Sequence, residues 1–188
     1  MCDGRNTEPS YFNQFRVASA TVKCVGKGNN TITTVEEAEK LAERDKYDHV
    51  WCVCDKDDFS EDQFNGAIKL AENHNFGIAY SNQSFEYWLI LHFDDHQGGR
   101  MNRKDYNSKI NNLLKPFNVR YDGKDSKIIN EDFFELLDGV DVKTKKKRVD
   151  LAIVRAERIY NQLDHVNPAN EESSTTVFRL VRELLKFR

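Results

Sequence analysis

Trp51-Cys52-Val53-Cys54-Asp55-Lys56-Asp57-Asp58 is an apolar run that stops abruptly in three carboxylates within four residues. From His49 to Cys54 the run is almost continuously apolar, as expected of a strand covered on both faces. Before it, Ala20 to Val25 alternates with a period of two, which predicts a strand. Thr33 to Arg44 places Val35, Ala38, Leu41 and Ala42 at helical spacing behind a threonine cap. After it, Phe59 to Asn73 puts Phe64, Ala67, Ile68 and Ala71 on one helical stripe, with Ser60 as its N-cap. Phe76 to Ser81 predicts a further strand, and Phe85 to Phe93 an apolar helix opened by Ser84. Alternating strands and helices imply right-handed crossovers, so the expected class is α/β with a mostly parallel sheet flanked by helices.

The texture changes near residue 95. Lys104 to Leu114, Glu131 to Leu137, Val149 to Leu163 and Val177 to Leu185 carry helical patterns, with breaks at Pro116 and Asp122-Gly123. Asn167 to Ser174 reads as a polar loop. The expected organisation is an α/β core over 1–95 and a helical C-terminal portion over 96–188 packed on it.

The chain of 188 residues suits one domain, and 39% hydrophobic with 11% aromatic residues supports a sizeable core. Twenty-eight basic residues against 31 acidic ones leave a net charge of -3, which excludes a blanket attraction to nucleic acid or anionic membrane. Any such partner must meet a local patch. The longest apolar candidate, Tyr87 to Phe93, is far too short to span a bilayer. Met1-Cys2-Asp3-Gly4 lacks the basic and apolar regions of a secretory signal, and four cysteines fall short of a disulfide scaffold. A reduced, cytoplasmic protein is the expectation.

Three carboxylates at the carboxyl edge of a strand lie where open α/β folds bind ligands. Like charges repel there unless a cation holds them, and oxygen ligands suit Mg²⁺ or Mn²⁺. An EF-hand does not fit, because counting Asp55 as position one puts Gly66 where the bidentate glutamate belongs. A solvated acidic turn capping the next helix is the bland alternative for the Asp55–Asp58 stretch alone. Two other segments tip the balance. Asp3-Gly4-Arg5-Asn6-Thr7-Glu8-Pro9 reads as a turn into a helix, and Ser81-Asn82-Gln83-Ser84-Phe85-Glu86 leaves one strand for another helix. If these ends are neighbours, Asp3, Glu8, Asp55, Asp57 and Glu86 face a common crevice, which favours a metal site.

The order Asp-Gly-x-x-Thr-Glu-Pro-x-Tyr-Phe, then strand-Asp-Lys-Asp-Asp-Phe, then Ser-Asn-x-x-Phe-Glu-x-Trp resembles the RloB family. Ser174-Thr175-Thr176-Val177 and the leucine-rich end resemble that family's C-terminus. The resemblance implies a Toprim fold, found beside restriction and abortive-infection genes of bacteria, and phosphoryl-transfer chemistry with Mg²⁺. Carried over, the paired aspartates are Asp55 and Asp57, with Asp58 adjacent, and Glu8 is the further acid of the nuclease-type pattern. The opening Glu-Gly falls on Asp3-Gly4, and the nuclease-type Ser-x-Glu falls on Ser84 and Glu86. The resemblance thus implies Glu8, Asp55, Asp57 and Asp58 as metal ligands, with Asp3 and Glu86 completing a second site or positioning water. In two respects the chain departs from the pattern. Asp3 is one methylene shorter than the family's glutamate, and only Met1-Cys2 precede it where a hydrophobic strand is expected, so that strand is expected upstream of this sequence.

Lys143-Thr144-Lys145-Lys146-Lys147-Arg148 packs five basic residues into six positions. Such a run can hold a phosphodiester backbone, and its bland alternative is a solvated linker. Lys143, Lys145 and Arg148, with Ser84, are the candidate nucleic-acid contacts, and Lys146 or Lys147 fills the place of the nuclease-type catalytic lysine. Arg5, Arg16, Lys23 and Lys27 add charge on the sheet's side. The histidines, His92 among them, read as surface or capping residues. Cys52 and Cys54 read as strand packing, and Phe85 and Trp88 as core.

The reading is a Mg²⁺-dependent (or Mn²⁺-dependent) nuclease in phage defence, cleaving DNA or RNA. Family resemblance adds an ATPase partner encoded nearby and leaves room for a homodimer. The alternative is a non-catalytic module that binds nucleic acid or nucleotide and serves as a regulatory subunit of an ATPase-linked complex.

Overall fold

The computed structural model describes residues 1–26, 28 and 30–188. Its regular elements run α1 (Thr7–Phe12), α2 (Thr31–Arg44), β1 (Trp51–Asp55), α3 (Glu61–Asn73), β2 (Gly77–Asn82), α4 (Glu86–Leu91), α5 (Tyr106–Leu114), α6 (Glu131–Asp138), α7 (Arg148–Tyr160), β3 (Ser174–Thr175) and α8 (Val177–Leu185). The α/β class holds, but the sheet is small and mixed rather than mostly parallel. Its order is β1-β2-β3, with β1 and β2 parallel and β3 antiparallel to β2.

Both faces of β1 and β2 are covered, and this is why the run from Trp51 needs no polar alternation. On one face Cys52, Cys54, Ile78 and Tyr80 pack beneath α2 and α3 with Val35, Phe64 and Ala71. On the other, Val53 and Ala79 meet a larger cluster drawn from α1 and from α4 to α8, with Trp88, Tyr121, Phe133 and Val181 among its members. The C-terminal portion therefore closes one side of the sheet.

Sequence periodicity located α3 well. Ser60 and Gln63 form a reciprocal capping box, and Phe64, Ala67, Ile68 and Ala71 are its buried stripe. Elsewhere local chemistry differed from pattern. Asn30, rather than a threonine, caps α2 by accepting the Thr33 N–H at 2.9 Å. Ser84 gives α4 no side-chain cap, and its backbone carbonyl accepts the Tyr87 N–H at 2.9 Å instead. Residues 20–25 form no strand. Their first four side chains are exposed, so alternation there has no buried face to serve. β3 arises at the end of the predicted polar loop, where the Thr175 hydroxyl ties it to β2: Thr175 Oγ1 donates to the Tyr80 carbonyl at 2.9 Å and meets Ser81 Oγ at 3.0 Å.

Met1 to Asp3 takes the place beside β1 where the resemblance puts a strand. Cys2 forms parallel bridges to Val53 on one side and Gly26 on the other. The Val53 N–H donates to the Met1 carbonyl at 2.8 Å, Asp3 N–H to Val53 at 3.0 Å, and Cys2 N–H to Val25 at 2.7 Å. This short ladder sets Asp3 level with the end of β1.

An acidic cleft at the strand ends

Asp3, Glu8 and Asp55 converge so closely that one carboxylate oxygen from each lies within 4.8 Å of the others. Each is delivered by a different element. Asp3 ends the N-terminal ladder, Asp55 ends β1, and Glu8 sits in the first turn of α1. Gly4 lets them meet, since a Cβ there would fall 2.2 Å from Glu8 Oε2. The Asp55 N–H donates to Asp3 Oδ2 at 2.9 Å. Asp55 Oδ1 is buried with no hydrogen-bond partner among the described residues.

Burial of like charges sets the electrostatics. Desolvation pushes the Asp3 carboxyl from 3.8 up to about 6, against the opposing hydrogen bond from Asp55. Glu8 is raised well above the usual carboxylate range, by burial first and then by Asp3. Asp55 is raised likewise, by burial and then by Glu8 and Asp3. A largely buried all-oxygen cluster that resists ionisation and includes an orphaned oxygen has a donor set that suits a hard divalent cation.

These three acids line a cleft of about 540 Å³, and Asp57, Ser84 and Glu86 line it too. Asp57 lies in the left-handed region at φ 39°, where its N–H donates to the Gln83 carbonyl at 2.9 Å. Glu86 Oε1 accepts the Tyr121 hydroxyl at 2.8 Å, and that hydroxyl lies 3.4 Å from Thr7 Oγ1. Asp58 is not part of the wall: its side chain is 87% exposed and pairs with Arg103. Arg103 also pairs with Asp57.

The basic run sits elsewhere. Lys143, Lys145, Lys146 and Lys147 are exposed and none lines the cleft. Lys147 lies 3.6 Å from Asp138. Arg148 corrects its expectation as a nucleic-acid contact, because it is only 4% exposed. Its guanidinium stacks on Phe93 and Phe117 and donates to the Leu136 carbonyl at 3.0 Å. Among the described residues, the cations that line the cleft are Arg5, Arg103, Lys104 and Lys127. Of these the sequence reading singled out Arg5 alone, for its charge. Arg16 pairs with Glu131 and Lys23 with Asp45 on the surface, and Lys27 lies outside the described residues. His92 departs from the surface reading. It is 1% exposed with Nδ1 at 3.0 Å from the Trp88 carbonyl, and burial pushes its pKa down to about 3.

Fold and site together define a small α/β protein with an acidic cleft at the carboxyl end of a parallel strand pair. The chain matches the family described as RloB-like protein over residues 1–184, and it belongs to that family. No curated protein and no solved structure matches it. Among the described residues no helix is long and apolar enough to cross a membrane.

Proposed function

We propose that this RloB-like chain is a Toprim-type nuclease that uses Mg²⁺ or Mn²⁺ to hydrolyse nucleic-acid phosphodiesters in bacterial phage defence. The observation that carries the reading is the convergence of Asp3, Glu8 and Asp55, one of whose buried oxygens has no partner among the described residues. In support, the ladder at Met1 to Asp3, β1 and β2 run parallel and bring their acids to one end. Asp3, Glu8 and Asp55 would hold the ion, with Asp57 beside them. When bound, such an ion acidifies water and neutralises charge developing on a phosphate.

The protein's own groups have separate tasks. Glu86 spends one oxygen on Tyr121, which leaves the other as an acceptor to orient water in the cleft. Lys104 and Lys127 line the same space and supply positive charge for the substrate backbone. A cleft of about 540 Å³ admits a nucleotide-sized segment.

A cleavage assay on mixed tRNA, single-stranded DNA and plasmid DNA with Mg²⁺ or Mn²⁺ tests the reading. Asp55→Ala and Asp57→Ala are each expected to lower the rate at least ~100-fold, the scale on which catalytic electrostatics act. Unchanged cleavage in either variant contradicts the assignment. One observation favours the non-catalytic regulatory module instead: Arg103 already neutralises Asp57 and Asp58. That reading predicts nucleic-acid or nucleotide binding without turnover, even beside an ATPase partner.

A further inference from the structure

Arg103 holds an unusual position for a cation of the cleft wall. One terminal nitrogen donates to Asp57 Oδ1 and the other to Asp58 Oδ2, so a single guanidinium bridges two acids of the turn after β1. Its backbone is fixed. The Arg103 N–H donates to Gln83 Oε1 at 2.9 Å, and the Gln83 carbonyl accepts the Asp57 N–H at 2.9 Å. Asn102 caps the short 3-10 turn Arg103–Asp105 by accepting the Lys104 N–H at 3.0 Å. The Arg103 side chain is 34% exposed, so it can swing while its backbone stays anchored.

We propose that Arg103 is a placeholder cation: it neutralises Asp57 and Asp58 in the ion-free protein and passes to a substrate phosphate when a divalent ion takes Asp57. This inference rests on the reading of the cleft as a divalent-ion site acting on a phosphodiester. The physical case has three parts. Arg103 holds Asp57 Oδ1, so an ion that takes this oxygen competes with it. A dication beside a guanidinium also repels it, which favours the outward swing. Once released, the planar fork of Arg103 matches phosphate as well as it matched carboxylate. Its neighbours Lys104 and Lys127 line the same cleft, so a polyanion is drawn to where the side chain arrives.

The account predicts opposite effects of one substitution on two ligands. Partly exposed ion pairs contribute up to ~1 kcal/mol each, so R103A is expected to tighten ion binding by about three- to thirtyfold. Calorimetric titration with Ca²⁺ or Mn²⁺ on the full chain reads this directly. With saturating Ca²⁺, R103A is expected to bind a fluorescent single-stranded oligonucleotide about tenfold more weakly, the loss of one good phosphate contact. R103K keeps the charge but lacks the planar fork that gives each carboxylate its own nitrogen, and it is expected to fall between wild type and R103A in both measurements. It carries the test alone if R103A does not fold.

Ion affinity unchanged or weakened in both variants overturns the placeholder. Oligonucleotide affinity unchanged in both overturns the transfer to phosphate, and with it the proposal. Asp55→Asn separates this failure from that of the underlying reading. If wild type binds the ion and Asp55→Asn does not, the cleft reading stands whatever the arginine variants do. If neither wild type nor R103A binds an ion, both readings fail.

Discussion

Asp55 ends a buried strand, and its Oδ1 finds no donor among the described residues. A carboxylate so placed is costly to ionise, and the sign of its pH dependence follows. Its pKa is raised on folding, so its stabilising contribution is complete at low pH and is lost as pH rises through the folded value. Asp3 follows the same rule, with its contribution fading between about 3.8 and about 6. The ion-free protein is therefore expected to lose stability from pH 4 to pH 8 by an amount on the order of a few kcal/mol. Asp55→Asn is expected to flatten that loss and to stabilise the ion-free protein by about 1–2 kcal/mol at pH 8 and little at pH 5. Urea unfolding at the two pH values checks this, and equal destabilisation at both would contradict it. The acids themselves were legible, because an apolar run ending in carboxylates carries its own chemistry. Arg103 and Tyr121 were not, since neither stands in a pattern that marks it. They reach Asp57 and Glu86 only through packing of distant segments.

At the level of elements, the most conspicuous charge run proved a poor guide. Lys143 to Lys147 forms an exposed turn between α6 and α7, while the last cation of the run folds inward. Arg148 opens α7 and ties it to α6 through the Leu136 carbonyl, with its plane against Phe93 and Phe117. Removing it takes one of two donors from the Leu136 carbonyl, which keeps the Gly139 N–H at 3.3 Å, and uncovers one face each of Phe93 and Phe117. Arg148→Ala is expected to cost about 1–2 kcal/mol, from the lost hydrogen bond and cation–π packing. Oligonucleotide affinity of the folded fraction is expected to stay unchanged. A stable variant with weakened binding would restore Arg148 to the nucleic-acid surface. Helices were legible where a cap and an apolar stripe coincided, as at Ser60 and Phe64 in α3. β3 was not, because it joins the sheet through the Thr175 hydroxyl and the flanking backbone N–H groups of Ser173 and Thr176, which carry no apolar alternation.

For the whole molecule, a net charge of -3 leaves the cleft as a local device on an otherwise balanced surface. Acids crowd its floor, and Arg103, Lys104 and Lys127 supply the positive charge that a phosphate would meet. The sequence indicated the α/β class and the family resemblance, but not that the sheet is small and mixed or that residues 96–188 would complete the cleft wall. Everything rests on whether the buried acids hold a divalent ion, and ligands must shed protons to do so. The most direct measurement is calorimetric titration with Mn²⁺ at pH 6 and pH 8, in two buffers of different ionisation enthalpy, for wild type and Asp55→Asn. The account predicts binding with net proton release, tighter affinity at pH 8 than at pH 6, and loss of the binding in Asp55→Asn. No binding to wild type, or binding indifferent to Asp55 and to pH, would contradict it.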